Sequence, residues 1–364
     1  MNSDNAQDAQ TLKSQQKTRV VLSLSILQVH VTERCNKKCA HCYQDETATR
    51  NSELTFDQLS SLIGSYEDVC RVRGWRGQVT FAGGEPFIRS DFLPLLKEMT
   101  RWPSLRFAIL TNGYHIDEQT AQQLREMNPA FIQISLEGGP HTHDQIRGEG
   151  DFLRCLKVLS ILKRAGVRTL VSFTAHRDNF REFPIVAEHA RQAGVNGLWA
   201  DRLVPMGRGK GLDTLSPQET RALFEIMRHE QLRTGADSAT KIVMRRSLQF
   251  LCSGDPAYRC TAGKSLLAVL PNGTVYPCRR LPIELGNVLV TPLDQIFNAG
   301  KAIHDTPSSC RQCEHFVRCN GGSRCIAYAT HGRLSEVDPG CWFEPDGGSK
   351  PKPPSISGDP FSLV

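Results

Sequence analysis

The run ILQVHVTERCNKKCAHCY, from Ile26 to Tyr43, joins an apolar segment to three closely spaced cysteines. Its first part is apolar and β-branched, which predicts a strand over Leu27–Thr32. Three cysteines follow on the loop at the carboxyl end of that strand: Cys35, Cys39 and Cys42. Three thiolates on one loop can hold three irons of a [4Fe–4S] cube and leave the fourth iron open. A zinc knuckle or a set of redox cysteines is the alternative interpretation.

Beyond this loop the sequence alternates between short β-rich runs and amphipathic helical runs. Further strands are predicted at Gln78–Phe81, Arg106–Thr111, Phe131–Leu136, Arg168–Thr174 and Gly197–Leu203. Helices are predicted at Phe56–Arg73, Asp91–Thr100, Glu118–Met127, Phe152–Arg164, Glu182–Ala193 and Pro217–Arg233. Thr55 and Ser216 are predicted to cap two of these helices, and Gly166 and Gly194 to end two others. Six strand–helix units in series predict an α/β fold with a parallel sheet. A closed eight-fold barrel needs about 250 residues, so we expect a partial (β/α)6 TIM-like barrel.

Composition divides the chain into five predicted segments. These are a flexible arm (1–24), the barrel domain (25–210), a helical linker (211–250), a small Cys-rich domain (251–345) and a disordered Pro-, Gly- and Ser-rich tail (346–364). Asn272–Gly273 predicts a hairpin turn between Leu267–Leu270 and Thr274–Tyr276. The Cys-rich segment has too few apolar residues for a large core, so bound metal would substitute for one.

The composition is that of an ordinary globular protein of 364 residues, with 39% hydrophobic and 23% charged residues. No apolar run reaches the roughly 18 residues that cross a bilayer, and the N-terminus lacks a signal-peptide core. We therefore expect a cytoplasmic protein without a membrane partner. The net charge is +6, but the basic residues are spread along the chain, which does not favour a nucleic-acid partner.

Thirteen cysteines are unusual in a long chain without an export signal, and short spacings favour metal ligands over disulfides. Cys70 and Cys155 stand apart within helical patterns and are predicted to be inert core residues. The other C-terminal cysteines extend from Cys252 to Cys341.

The run Cys35-x3-Cys39-x2-Cys42 followed by Tyr43 resembles the signature of the radical S-adenosylmethionine (SAM) superfamily. The resemblance implies that the open iron chelates the methionine part of SAM, with Tyr43 near the adenine. The segment Gly83-Gly84-Glu85-Pro86, after the second predicted strand, resembles the one that receives the methionine amino group. Glycines permit close approach, and backbone carbonyls and a carboxylate suit an ammonium.

Weaker matches stand at the ends of later strands. Thr111-Asn112-Gly113 ends the third, although an ordinary turn explains Asn112–Gly113 equally well. The resemblance implies that Ser135, at the end of the fourth strand, and Arg147, in the segment after it, contact the cofactor. The resemblance to the radical SAM superfamily covers positions 26–209.

The C-terminal cysteines are similar in pattern to the SPASM extension of radical SAM enzymes. The matching features are Gly273-x4-Cys278, Cys310-x2-Cys313-x5-Cys319 and Cys341. The resemblance implies two auxiliary [4Fe–4S] clusters. One is held by Cys252, Cys260, Cys278 and a later cysteine, and the other by Cys310, Cys313, Cys319 and Cys341. Ser323 stands where the family has its next cysteine, and Cys325 is the natural substitute. For this fourth ligand a serine oxygen or an open iron is the alternative, and for the auxiliary clusters the alternative is a zinc ribbon at Cys310-x2-Cys313.

The resemblance implies an enzyme whose reduced cluster cleaves SAM to methionine and a 5′-deoxyadenosyl radical, which abstracts a substrate hydrogen. By analogy the substrate is a peptide or small protein, with a low-potential flavodoxin or ferredoxin as reductant and a separate peptide-recognition protein. Modification of a small molecule, for instance in cofactor or tetrapyrrole biosynthesis, and a non-catalytic iron–sulfur electron carrier are the alternatives. Sulfatase-maturing relatives place an aspartate that serves as general base directly after the cysteine that corresponds to Cys278. Here Arg279 and Arg280 follow, and because a guanidinium cannot accept a proton at working pH, they argue against sulfatase maturation. The sequence predicts no catalytic side chain.

Overall fold

A computed structural model of the protein describes residues 23–44, 53–235, 238–254, 258–303 and 307–343. The predicted tail, and the predicted arm up to position 22, lie outside these residues. The described chain forms a ten-stranded sheet with the order β10-β9-β8-β1-β2-β3-β4-β5-β6-β7. The strands are β1 Leu24–His30, β2 Arg76–Ala82, β3 Arg106–Leu110, β4 Phe131–Ser135, β5 Thr169–Ala175, β6 Gly197–Arg202, β7 Lys241–Ile242, β8 Leu266–Val269, β9 Thr274–Tyr276 and β10 Gly286–Asn287.

Helices connect the parallel strands and cover the sheet. They are α1 Phe56–Arg73, α2 Phe92–Glu98, α3 Glu118–Met127, α4 Pro140–Arg147, α5 Asp151–Arg164, α6 Phe183–Gln192, α7 Pro217–Thr234, α8 Phe250–Ser253, α9 Leu293–Lys301, α10 Phe316–Cys319 and α11 Arg324–His331. Among the described helices, none has the length and apolarity that a bilayer span requires.

The six predicted strands are present, and they pair in parallel from β1 to β6. The sheet is open, which confirms the partial barrel. The capping boxes at Thr55 and Ser216 are both formed. Gly166 and Gly194 follow α5 and α6 with φ of +72° and +64°, the left-handed conformation that ends a helix at glycine.

The sequence interpretation lacks the helix α4, the strand β7 and one strand pairing, and also the helices α8 to α11 and the strand β10 of the C-terminal segment. The helix α4 is short and polar, and only His143 and Ile146 in it are buried, so it offers few apolar positions from which to recognise a helix. The strand β7 has two residues and lies in the segment predicted as a helical linker, where it pairs with β6. The predicted hairpin forms as β8 and β9, but β8 also pairs in parallel with β1, matching Ile26 with Leu266. The Cys-rich segment therefore extends the barrel sheet.

One hydrophobic core lies between this sheet and its helices, and it includes Leu27 and Val29 of β1, both almost fully buried. Cys70 and Cys155 lie in the same core. Burial raises the pKa of Cys70 to about 11 and that of Cys155 to about 12, which keeps both thiols protonated and unreactive at neutral pH.

Candidate active site

The carboxyl ends of the parallel strands open into a cavity of about 860 Å³. Because neighbouring parallel strands end at the same edge of a sheet, the loops after them meet there. All three cysteines of the loop after β1 line this cavity. So do five residues proposed from sequence as cofactor contacts: Tyr43, Gly83, Gly84, Ser135 and Arg147. The cavity brings together side chains from the ends of six strands and is the candidate active site.

Gly83 and Gly84 set the course of the cysteine loop by backbone contact. The amide of Gly84 donates to the carbonyl of Thr32 at 2.8 Å, and the amide of Glu85 donates to the carbonyl of Arg34 at 2.9 Å. A Cβ atom on Gly83 would lie 2.4 Å from the Thr32 oxygen, and one on Gly84 would lie 2.2 Å from the Arg34 oxygen. Only glycine fits at both positions, so this pair fixes where the cysteine loop begins.

Glu85 has a different place from its two glycine neighbours. Its side chain is fully buried, and its carboxylate accepts hydrogen bonds from Thr111 Oγ1 (2.7 Å), the Asn112 amide (2.8 Å) and the Phe87 amide (3.2 Å). Burial raises the pKa of this carboxyl despite these donors. Pro86 is buried and starts a 3-10 turn beside it. Glu85 thus ties the end of β2 to the end of β3, and the backbone of the glycines is what this motif presents to the cavity.

Arg147, at the end of α4, contacts the cysteine loop at Cys39. Its guanidinium donates to Glu137 Oε1 from Nη2 (2.6 Å) and Nε (3.0 Å), and its Nη1 lies 4.0 Å from Cys39 Sγ. Burial would raise the pKa of Glu137, but the charge of Arg147 holds it below its usual value. The carboxylate therefore stays ionised and fixes a buried cation beside Cys39.

Other contacts hold the backbone of the cysteine loop. Asn112 Nδ2 donates to Asn36 Oδ1 at 2.8 Å, and Arg208 Nε donates to the Cys39 carbonyl at 2.9 Å. The amide of Gly209 donates to the Cys42 carbonyl at 3.2 Å. Sequence reasoning missed Arg208, since no spacing links a residue after β6 to a loop after β1.

A buried group of metal-ligating residue types, His143, Asp151 and Cys155, lies beneath the same loop. Lys37 of the cysteine loop and Arg154 both form ion pairs with Asp151. These two cations neutralise the carboxylate, so the group anchors Lys37 and is poorly suited to a metal ion.

The donor set on the loop fits an iron–sulfur cluster. Burial raises the pKa of Cys35 and also that of Cys39, where Arg147 opposes the rise. Thiols of raised pKa become thiolates when they coordinate a soft metal. Three cysteine ligands on one glycine-supported loop match a cube with one open iron.

Tyr43 and Ser135 both line the cavity. The ring of Tyr43 meets His30 edge-on, with centroids 6.5 Å apart, and the Arg279 guanidinium carbon lies 5.4 Å from its centroid. Ser135 Oγ lies 3.1 Å from Ser172 Oγ. Both positions suit polar or aromatic contact with a bound nucleoside.

His30 makes the stability of the site pH-dependent. Burial and the nearby charge of Arg279 lower its pKa from 6.5 to about 3. A depressed histidine pKa contributes full stability above pH 6.5, and that contribution is lost as the pH falls from 6.5 towards 3. We expect this group to lower the unfolding free energy by about 1 kcal/mol between about pH 7 and about pH 5.5, in denaturant titrations of reconstituted protein. In His30→Gln the unfolding free energy should depend less on pH by this amount. The same pH dependence in the variant as in the wild type would contradict this role of His30.

The C-terminal cysteines fall into two groups. Four of them line one small cavity: Cys310, Cys313, Cys319 and Cys341. Three others meet in a separate apolar cluster: Cys260, Cys278 and Cys325. Burial and then the thiols of Cys325 and Cys278 raise the pKa of Cys260 to about 11. The structure thus brings together seven of the eight expected auxiliary ligands.

Cys252 lies elsewhere, on α8, where it packs against the main core. Burial and the charge of Glu225 on α7 raise the pKa of Cys252 to about 11, and Arg221 of the same helix opposes this rise. The ligand role expected for Cys252 stays a prediction. Ser323 Oγ lies 3.4 Å from Cys325 Sγ, so both candidates for the missing family cysteine stand at the same place, with Cys325 beside Cys278.

A buried ion pair joins the barrel to the Cys-rich segment. Arg202, at the end of β6, donates from Nη1 and Nη2 to the two carboxylate oxygens of Asp338 at 2.8 and 2.7 Å. Asp338 also accepts from the amides of Ser323 (2.6 Å) and Gly340 (2.9 Å). Sequence reasoning missed this pair because nothing near Asp338 in sequence indicates a buried partner.

Comparisons with known proteins agree with this geometry. The family model described as the radical SAM superfamily matches residues 29–190, and the SPASM iron–sulfur cluster-binding domain matches residues 260–320. The AdoMet-dependent heme synthase of Methanosarcina barkeri is 25% identical, over 86% of this chain and 95% of the relative. The mycofactocin maturase MftC of Mycolicibacterium smegmatis is 28% identical, over 90% of this chain and 86% of the relative. The fold is similar to that of Streptococcus suis SuiB bound to S-adenosylmethionine, with a TM-score of 0.70 and 15% identity over 88% of this chain and 78% of SuiB.

Proposed function

Since this chain belongs to the radical SAM superfamily and carries a SPASM iron–sulfur domain, we propose that it is a peptide-modifying enzyme. The convergence of Cys35, Cys39 and Cys42 with Gly83 and Gly84 on one cavity is the observation that carries the proposal. We infer that the three cysteines hold the SAM-binding cluster. When bound, this cluster and SAM supply one-electron cleavage and hydrogen abstraction.

The side chains around the cavity have separate tasks in this proposal. Arg147 and Arg208 hold the cysteine loop, and the glycine backbone receives the methionine amino group. Tyr43 and Ser135 contact the nucleoside. The walls shield the reacting atoms from water, which prevents side reactions.

The C-terminal segment serves as an auxiliary-cluster domain in the same proposal. Cys260, Cys278 and Cys325, with Cys252 as a further candidate, hold one cluster, and Cys310, Cys313, Cys319 and Cys341 hold the other. Both groups are supported by the proximity of their thiols. The clusters accept an electron from the substrate or position it.

The mycofactocin maturase relative supports a peptide or small protein as substrate. We further propose a cytoplasmic enzyme, with a low-potential flavodoxin or ferredoxin as reductant and a separate peptide-recognition protein. A second candidate is modification of a tetrapyrrole, which the heme synthase relative favours.

Anaerobic reconstitution tests the proposal. We expect about twelve irons per chain and, with dithionite and SAM, formation of 5′-deoxyadenosine. Short peptides encoded beside the gene and Fe-coproporphyrin III are then supplied separately, and product masses are compared. Turnover of a peptide supports the first candidate, and turnover of the porphyrin alone supports the second. A fully loaded protein that forms no 5′-deoxyadenosine contradicts both.

A further inference from the structure

Two arginines follow Cys278, and the fold sends them to different places. The tight turn at 278–281 is closed by the Leu281 amide, which donates to the Cys278 carbonyl at 2.9 Å. Arg280 Nη1 lies 3.1 Å from Asp201 Oδ2, and its charge lowers the pKa of Cys325 against the effect of burial. Arg280 is therefore engaged in neutralising Asp201 and the thiols of the auxiliary group.

Arg279 forms no ion pair of this kind, although its charge contributes with Arg280 to the lowered pKa of Asp201. It is half-buried and lines the cavity, with its guanidinium carbon 5.4 Å from the centroid of the Tyr43 ring. Within the described part of the chain, no carboxylate lies in ion-pair distance of it. Stacking on an aromatic face leaves the edge of a guanidinium, with its N–H donors, free to bind a ligand.

Several other cations on the cavity wall already have carboxylate partners. Arg147 pairs with Glu137, Arg202 with Asp338, Lys37 with Asp151 and Arg34 with Glu53. Lys38 lies on the exposed face of the cysteine loop. Arg208, which is also half-buried, donates to the Cys39 carbonyl. Arg279 lines the cavity as a half-buried cation that forms no ion pair with a carboxylate of the described residues.

The position of Arg279 fits substrate recognition. Its guanidinium carbon lies 5.4 Å from the ring of Tyr43, which directly follows Cys42, and Arg279 itself directly follows Cys278. A group bound there lies between the SAM-binding loop and the auxiliary cysteines, which is where a substrate must sit to meet both.

We propose that Arg279 is a specificity-determining residue that binds a carboxylate of the substrate inside the cavity. A guanidinium fork matches a carboxylate with two parallel hydrogen bonds, which a point charge cannot reproduce. This inference rests on the proposed function and names the chemical class of its substrate. The carboxylate belongs to an acidic peptide or to a propionate-bearing tetrapyrrole, and the test separates these two sources.

Binding to the reconstituted, SAM-loaded protein under nitrogen tests the inference. One probe pair is two synthetic peptide pools that differ only in a central Glu or Gln. The other is coproporphyrin III and its tetramethyl ester. Retention of each probe on immobilised protein is quantified by mass spectrometry. We expect the wild type to favour the acidic member of one pair by about tenfold to a hundredfold, as for a hydrogen-bonded charge pair.

Arg279→Gln should abolish this preference, and Arg279→Lys should keep a small part of it. Lys38→Gln removes a charge from the same cavity, and Arg71→Gln removes one from an exposed helix; both should keep the preference. Iron content and circular dichroism show whether each variant is folded, and Arg279→Lys provides a second reading if the glutamine variant is not.

Three results would overturn the inference. The wild type could show no preference for the carboxylate-bearing probes, or Arg279→Gln could show the same preference as the wild type. Lys38→Gln could also lose as much of the preference as Arg279→Gln, which would indicate a general effect of positive charge in the cavity. Measuring 5′-deoxyadenosine formation in the absence of any probe distinguishes failure of the proposed function from failure of the role of Arg279. Wild-type protein that fails to cleave SAM contradicts the proposed function, whereas cleavage without carboxylate preference contradicts only the role of Arg279.

Discussion

Replacing Cys35, Cys39 and Cys42 together by alanine is expected to remove about four irons per chain and to reduce 5′-deoxyadenosine formation below detection. The three thiols lie on one loop at the cavity, and no other described residue offers a replacement thiol there. Without the cluster on this loop, SAM has neither an iron to bind nor an electron donor. Iron analysis and chromatography of reaction mixtures, both after anaerobic reconstitution, measure the two effects.

The matched control for this triple variant is Cys70→Ala. It removes a thiol that burial keeps protonated within the hydrophobic core, so it should leave the iron content unchanged. Retention of the full iron content by the triple variant would show that this loop is not a cluster site. Loss of iron together with unimpaired SAM cleavage would move the cleavage chemistry to another cluster.

Replacing Asp338 by asparagine is expected to lower the free energy of unfolding by about 3 to 5 kcal/mol. The change leaves the Arg202 guanidinium buried without its anion, and an unpaired buried charge costs far more than the pair contributes. Burial raises the pKa of Asp338 but Arg202 lowers it below its usual value, so the carboxylate is ionised in the folded protein. Denaturant titration of the reconstituted protein measures the loss.

Two variants make this prediction specific to the buried pair. Asp68→Asn breaks an exposed ion pair of similar length, Arg71 to Asp68 at 2.6 Å, and should cost less than about 1 kcal/mol. The double variant Arg202→Met with Asp338→Leu removes both charges and should recover part of the loss. A single Asp338→Asn variant as stable as Asp68→Asn would contradict the structural importance of this contact.

The sequence was informative wherever a local pattern carried the signal. The cysteine spacing, the glycine pair and the strand–helix alternation each depend on neighbours in sequence, and the structure places them as those patterns predict. The capping boxes at Thr55 and Ser216 were predictable for the same reason, because a cap is completed within four residues.

Features that depend on distant partners could not be predicted. The motif around Glu85 was expected to offer a carboxylate to a ligand, but Thr111 and Asn112 occupy it from the next strand. The pairing of Arg202 with Asp338 is likewise invisible in sequence. The distinct positions of Arg279 and Arg280 depend on where Asp201 and Tyr43 lie in the folded protein.

The parallel pairing of β8 with β1 has a consequence for how the enzyme is assembled during synthesis. The strand β1, which leads into the cysteine loop, has β2 on one side and β8 on the other. Until β8 emerges from the ribosome, one side of β1 is an unpaired edge, which can pair with other chains. Contacts between such distant segments form late because closing a long loop is entropically slow. The strand that leads into the cysteine loop is therefore paired on both sides only after the C-terminal segment has been made, and we expect loading of the proposed clusters to be coupled in time.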